Sequence, residues 1–392
     1  MPLPLYLLAL AVFAMGTSEF MLAGLLPDIA SDLGVTVGTA GLLTSAFATG
    51  MIVGAPLVAA SARHRPARSS LLGFVLVFSA VHAVGAATPS FPVLCVTRVV
   101  AALACAGFLA VALTTATRLV PADKKGRALA VLLSGTTVAT IAGVPAGSLL
   151  GTVLGWRATF WAVAVLCLPA AVGILLGVPA RRVRRNAADG PPLRAELAQL
   201  RSPRLLLAML LGALVNAATF TSFTFLAPLV TGTAGLGEHW IPVVLVLFGA
   251  GSFIGVTVAG RLADRRPGQV VAVCGPLLLV GWPALAVLAD RPAALLVLVF
   301  VQGALSFALG STLITRVLYE AAAAPSMAGA YATAALNVGA AVGPVVAATA
   351  LRTAAGDLGP LWASGLLVAL ALLVASFSRG VLPAGTVTTN RP

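Results

Sequence analysis

Charge is what this sequence has least of: of its 392 residues, 9% are Asp, Glu, Lys or Arg, and only 11 are carboxylates. A soluble domain carries about 25% charged residues, so a dissolved multi-domain enzyme is excluded. Intrinsic disorder is excluded with it, because 60% of the residues are hydrophobic. The net charge of +13 comes without the polar surface that a nucleic-acid-binding face needs, and no nucleic-acid partner is expected. Cysteine is sparse too. Cys95, Cys105, Cys167 and Cys274 each lie in an apolar run without C-x-x-C spacing, which argues against a disulfide framework and against a zinc site. His64, His82 and His239 have no carboxylate or second histidine at ligand spacing, so neither a metal nor another cofactor is expected. No G-x-x-x-x-G-K-S/T loop is present to cradle ATP. With one mid-span carboxylate and no mid-span serine that has a histidine partner, the chain lacks the groups of a membrane enzyme, and no catalytic residue is expected.

What the sequence has in abundance is long apolar runs, with a mean hydropathy of +1.06. A bilayer-crossing helix needs about 20 mostly apolar residues. Twelve such runs occur, at 4–26, 39–61, 70–88, 92–117, 128–151, 158–178, 205–230, 241–262, 270–289, 293–316, 329–350 and 360–378. Their length and tolerance of Gly and Pro fit helices and not barrel strands, so the fold expected is an all-α integral membrane protein of twelve transmembrane helices. The first run has no basic n-region and carries Glu19 in its middle, so it reads as a span and not as a signal peptide.

Positive charge orients the chain, since cytoplasmic loops hold the excess of Lys and Arg. Arg63, Arg65 and Arg68 follow span two, Lys124, Lys125 and Arg127 follow span four, and seven arginines from Arg181 to Arg204 occupy the middle loop. Arg261, Arg265 and Arg266 follow span eight, whereas the opposite loops offer Arg157, Arg291 and Arg352. Both termini are expected in the cytoplasm of a cell carrying the protein in its plasma membrane. The polar stretch between Pro179 and Pro203 divides the spans six and six. The expected organisation is a bundle over 1–178, a cytoplasmic linker over 179–203, a second bundle over 204–378 and a cytoplasmic tail over 379–392. Across the linker Gly50, Gly54 and Pro66 recur as Gly251, Gly255 and Pro267 at a constant offset of 201, and Pro145 has a counterpart in Pro344. Two pseudo-symmetric six-helix halves are the build of a transporter with its site between them near the midplane.

Ionisable groups inside spans are costly and default to functional sites. Two are read here: Glu19, in MGTSEFMLAG, and Arg98, about a turn and a half into span four. A carboxylate in a low-dielectric site is suited to bind a proton in one state and lose it in another, and Arg98 is its expected counter-charge or organiser. The bland alternative is that the two pair and merely hold spans one and four together. Span five carries small residues four apart, Gly135, Ala139, Gly143, Gly147, Gly151 and Gly155, with Pro145 among them, and span eleven repeats a shorter stripe, Ala335, Gly339, Gly343 and Ala347. Such stripes let helices approach closely, and the expectation is that this seam is where one half slides on the other. GRLADRRP closes span eight, with Gly260, Asp264 and Arg265 as a cytoplasmic latch; in the first half Arg63 stands where the counterpart of Asp264 would fall.

These motifs together make the chain resemble the twelve-helix drug:proton antiporters of the major facilitator superfamily. GRLADRRP is similar to that superfamily's loop motif, Arg98 with Gly107 to its fourth-helix motif, and Gly143, Pro145 and Gly147 to its fifth-helix antiporter motif. GTSEFMLAGLLPDIASDLGV and GWRATFW resemble the bacterial group that includes sugar-efflux and chloramphenicol exporters. The resemblance implies proton-driven export of chloramphenicol by alternating access, with a sugar or another small metabolite as the alternative cargo. The partners expected are therefore a small molecule, protons and the lipid bilayer, with the protein a monomer. Phe20, Met51, Asn216, Phe223 and Asn337, with Phe13, Met21, Phe47 and Phe220, are the large or polar side chains placed to line a cavity for an amphiphilic aromatic drug.

Overall fold

In the computed structural model the described residues are 1–61, 66–121, 124–179, 193–263 and 267–377. They are helical throughout, without a strand, and twelve of the helices have the length and composition of membrane spans: Leu3–Gly24, Val37–Val58, Ala67–Ala87, Phe91–Arg118, Lys125–Leu154, Trp156–Gly177, Pro203–Phe223, Trp240–Arg261, Gly268–Val287, Pro292–Glu320, Ala328–Ala350 and Gly356–Phe377. These are spans one to twelve below. Side chains such as Leu176, Leu366 and Val153 stand exposed on the outside, as suits a surface whose solvent is lipid.

Proline and glycine set the irregularities. Spans four, seven and ten begin with proline in the first two helical positions, where its missing N–H costs nothing. In span five a π-turn over Ala139–Gly143 precedes Pro145, whose ring nitrogen cannot continue the α-helical ladder. Gly155 turns the chain from span five into span six with φ at 83°, a conformation that excludes a β-carbon. The α-helical part of span one stops at Phe20 and passes into a 3₁₀ turn, Met21–Gly24, before the short helix Leu26–Asp32. Span seven, a continuous run to 230 by hydropathy, stops at Phe223 and resumes as Leu226–Pro228 and a π-turn over Leu229–Thr233. Pro27 and Pro228, which follow the two breaks, stand 201 residues apart.

The same offset governs packing. A β-carbon on Gly50 would press on the Val99 carbonyl, and one on Gly251 on the Phe300 carbonyl, while Gly54 faces Leu103 as Gly255 faces Ala304. Spans two and four therefore cross as spans eight and ten do. One apolar core is built almost wholly from spans one to six and another mainly from spans seven to twelve. The halves meet along two seams. Ser45 on span two donates to the Ala341 carbonyl on span eleven at 2.7 Å, and Gly249 on span eight lies against the Thr140 carbonyl on span five.

The small-residue stripes have a different partner from the one expected. Gly135 and Gly143 face span one at Ala9, Phe13 and Thr17, and Gly339 and Gly343 face span seven at Ala213 and Ala217. Each stripe thus joins the fifth helix of a half to the first helix of the same half, and the contacts between the halves lie at 2/11 and 5/8.

Candidate functional site

Ser18, Arg98 and His82 meet at the centre of the first half, 0%, 1% and 2% exposed. Arg98 donates from Nη1 to the Ser18 hydroxyl at 2.7 Å and from Nη2 to the Ser18 carbonyl at 2.8 Å. That carbonyl lies in the last turn of the α-helical part of span one, where carbonyls fall short of partners and a cation is favoured. The guanidinium also stacks over the Phe47 ring, 4.5 Å from its centroid. Ser18 Oγ is 2.6 Å from His82 Nε2, and His82 Nδ1 is 2.7 Å from the Phe78 carbonyl. A serine and a histidine therefore do meet inside the membrane, contrary to expectation. The hydroxyl is sealed in and already engaged on two sides, which leaves no room for a substrate carbonyl beside it.

Glu19 lies within span one, one residue before its α-helical part ends. Among the described residues it makes no ion pair or hydrogen bond with Arg98; its side chain instead borders a small cavity with Thr44, Phe47, Ala48, Phe220, Asn337 and Ala340, drawn from spans one, two, seven and eleven. A second cavity lies beside it, lined by Phe20, Thr140, Val144, Phe223, Leu245, Phe248, Gly249, Ser252 and Phe307. It is an aromatic box: Phe223 and Phe248 are 4.7 Å apart between centroids, and Phe20 and Phe223 are 6.1 Å apart. Each cavity has about 10 Å³ of free space, room for one water, whereas drug-sized sites run to about 300–1,000 Å³.

Of the expected lining residues, Phe20 and Phe223 border the aromatic cavity and Asn337 the one with Glu19. Met51 packs into the first-half core, and Asn216 donates to the Leu336 carbonyl at 2.7 Å, tying span seven to span eleven. Thr44, Thr140, Phe248, Ser252 and Phe307 carry no distinguishing signal in the sequence. Gly147 and Pro145 are buried in span five, and Gly107 abuts Phe74. Gly260 is exposed with open space around it; Asp264 and Arg265 lie outside the described residues, as does Arg63.

The profile of the Major Facilitator Superfamily matches residues 8–344. The chain belongs to that superfamily. This superfamily member is 81% identical over 382 residues, 97% of each chain, to the chloramphenicol resistance protein of Streptomyces lividans. It is 32% identical over 387 residues to the inner membrane transport protein YdhP of Escherichia coli, covering 99% of this chain and 98% of that one. Among solved structures it superposes on a bacterial homologue of the human lysosomal transporter Spinster, in an inward-facing and unoccupied conformation, with a TM-score of 0.73 at 16% identity over 96% and 95% of the two chains. The nucleoside transporter NupG gives 0.77 at 12% identity over 95% and 98%. At such identities the likeness is one of fold. The protein is a multi-pass membrane transporter handling a small molecule.

Both ends of the transporter are fastened by charge. On the side of the 155-loop, Arg157 pairs with Asp32, Trp156 Nε1 donates to the same carboxylate at 3.0 Å, and Arg157 Nη2 donates to the Thr88 carbonyl at 3.1 Å. The Arg157 hydrogen bond holds the Asp32 carboxyl below its usual range, while desolvation, then the Glu238 charge, raise that of Asp28. On the linker side, residues 193–198 form a helix whose Glu196, 1% exposed, caps span eleven. It accepts from the Ser326 and Met327 amides at 3.0 Å and from the Ser326 hydroxyl at 2.6 Å, and the Tyr331 hydroxyl donates to its carbonyl at 2.9 Å. The sequence presents this segment only as a polar tether.

Proposed function

We propose that this transporter exports chloramphenicol from the cell in exchange for protons, as a monomer in the plasma membrane with both termini in the cytoplasm. The identity of 81% along 97% of both chains to a chloramphenicol resistance protein carries the reading. Its two units are the bundles over 1–178 and 204–378, joined by the linker over 179–203. They rock about the 2/11 and 5/8 seams, and Asp264 and Arg265 latch the cytoplasmic face when it is closed. Glu19 is the proton-carrying group: its carboxylate opens on the inter-half cavity and is not tied to a cation by a hydrogen bond. The aromatic box of Phe20, Phe223, Phe248 and Phe307 receives the nitrophenyl ring, with Asn337 as a polar anchor across Phe220. Both cavities widen as the halves part, since neither holds a drug at about 10 Å³. A pH gradient and a membrane potential of about 2.3 kcal/mol per charge per 100 mV supply the driving force.

The test is chloramphenicol accumulation in cells with and without the protein. Expression lowers accumulation and a protonophore restores it; export that survives the protonophore, or that acts on a sugar and spares chloramphenicol, overturns the reading.

A further inference from the structure

The Ser18–His82–Arg98 cluster has a polarity that can be worked out atom by atom. Arg98 Nη1 is a donor only, so the Ser18 oxygen accepts from it. The Ser18 proton then points elsewhere, and the group 2.6 Å away is His82 Nε2. To accept that proton Nε2 must be bare, which places the ring proton on Nδ1, 2.7 Å from the Phe78 carbonyl, an acceptor. The chain of donors runs one way, from Arg98 to Ser18 to His82 to Phe78, and it requires a neutral imidazole in the Nδ1–H tautomer. Stacking fixes the ring, with centroids 4.2 Å from Phe78 and 5.8 Å from Phe160.

We infer that His82 is a positioning residue: by accepting the Ser18 proton it fixes that hydroxyl as the acceptor for Arg98, and so holds the guanidinium on the backbone of span one and away from Glu19. The inference rests on Glu19 as the proton-carrying group. Ser18 and Glu19 are adjacent, so a guanidinium released from the first has the second within its reach. The titratable neighbours of Glu19 are Arg98 and Cys105 on span four and, beyond Ser18, His82 on span three. Around its cavity spans two, seven and eleven bring Thr44, Phe47, Phe220 and Asn337, none of which is charged. Among the described residues Arg98 is thus the one cation placed to alter Glu19, and His82 is what keeps it off that carboxylate.

Two measurements test this. In the protein carrying His64→Gln and His239→Gln, a single histidine remains, and its ¹⁵N spectrum is expected to show the neutral Nδ1–H tautomer at pH 7; an Nε2–H tautomer or an imidazolium overturns the inference without any change at the cluster. In proteoliposomes, His82→Leu and Ser18→Ala are each expected to move the pH of half-maximal chloramphenicol transport down by about 1 unit, because a cation brought against a carboxylate favours its ionised form. His82→Gln, whose amide can accept from Ser18 and donate to Phe78, keeps the wild-type profile. Glu19→Gln is measured alongside. If it loses the pH dependence while His82→Leu and Ser18→Ala keep the wild-type midpoint, the positioning role is wrong; if Glu19→Gln itself keeps that dependence, the reading of Glu19 is wrong.

Discussion

Arg98 donates through both terminal nitrogens to Ser18 and through neither to Glu19, the next residue in the chain. Both terminal nitrogens of the buried cation thereby find oxygens, its plane lies over the Phe47 ring, Nε alone is left without a partner, and the carboxylate faces the space between the halves. A permanent Arg98–Glu19 pair would have locked the charge state of both, since breaking a buried pair leaves an uncompensated charge. Among the described residues no hydrogen bond or ion pair ties the two in this way.

Removing the carboxylate that caps span eleven weakens the fold. Glu196→Ala removes the acceptor of the buried Met327 amide and of the Ser326 amide beside it, and a buried donor left unsatisfied costs about 1–3 kcal/mol. A lower melting temperature of the purified protein in detergent is expected, with Glu196→Gln falling less because one acceptor oxygen remains. A wild-type melting temperature for Glu196→Ala would mean that the linker helix does not support span eleven.

Among the glycines, the cost of a β-carbon is expected to follow what stands opposite. At Gly135 it presses on the Ala9 carbonyl and lies 3.0 Å from the Phe13 nitrogen, both backbone atoms that cannot yield. At Gly147 it meets the Thr159 methyl at 3.1 Å and Met21 Cβ at 3.7 Å, and at Gly260 nothing within 4 Å. Overpacking costs about 1–3 kcal/mol, so thermal stability should fall most for Gly135→Ala, slightly for Gly147→Ala and not at all for Gly260→Ala. The reverse order would show that the stripe does not face span one.

Two aspartates on the same side of the protein should respond to pH with opposite signs. The folded state holds the Asp32 carboxyl below its ordinary value of 3.8, so its contribution is present above that value and is lost as pH falls through the depressed one. Asp28 is raised, so its ionised form opposes folding, and that penalty disappears as pH drops below its folded value. Melting curves at pH 7.5 should therefore show Asp28→Asn stabilised and Asp32→Asn destabilised, with the Asp28 difference shrinking toward pH 4 and the Asp32 difference persisting there. Shifts of the same sign in the two variants would contradict the assignment.

The spans were legible because each crossing needs about 20 apolar residues, and water-soluble folds seldom hold so long a run. The breaks at Phe20 and Phe223 were not, since apolar residues continue through them to Pro27 and Pro228 and hydropathy is blind to a change of helical pitch. The period of the glycine stripes was readable and their partner helix was not, because spacing along one helix says nothing of which neighbour fills the groove. His82 has no partner at metal-ligand spacing and so stays inconspicuous as a ligand. An imidazole inside the run 70–88 is nonetheless an ionisable group in a span, and that signal points to it. Glu196 had no such signal, since a carboxylate in a polar segment reads as solvated until a helix end is seen above it. That Arg98 binds Ser18 rather than Glu19 depends on rotamers and on the end of an α-helix, which residue types alone do not specify.

The measurement that bears most directly on the mechanism is proton movement driven by the drug. Protein reconstituted in liposomes that enclose a pH-sensitive dye is given an inward gradient of chloramphenicol, with no pH gradient imposed, and internal pH is followed beside the uptake of labelled drug. Wild-type protein is predicted to move protons outward as the drug enters, and Glu19→Gln to abolish that proton movement while still binding chloramphenicol. Proton movement of wild-type size in Glu19→Gln, or drug uptake by the wild type with no change in internal pH, would contradict the account.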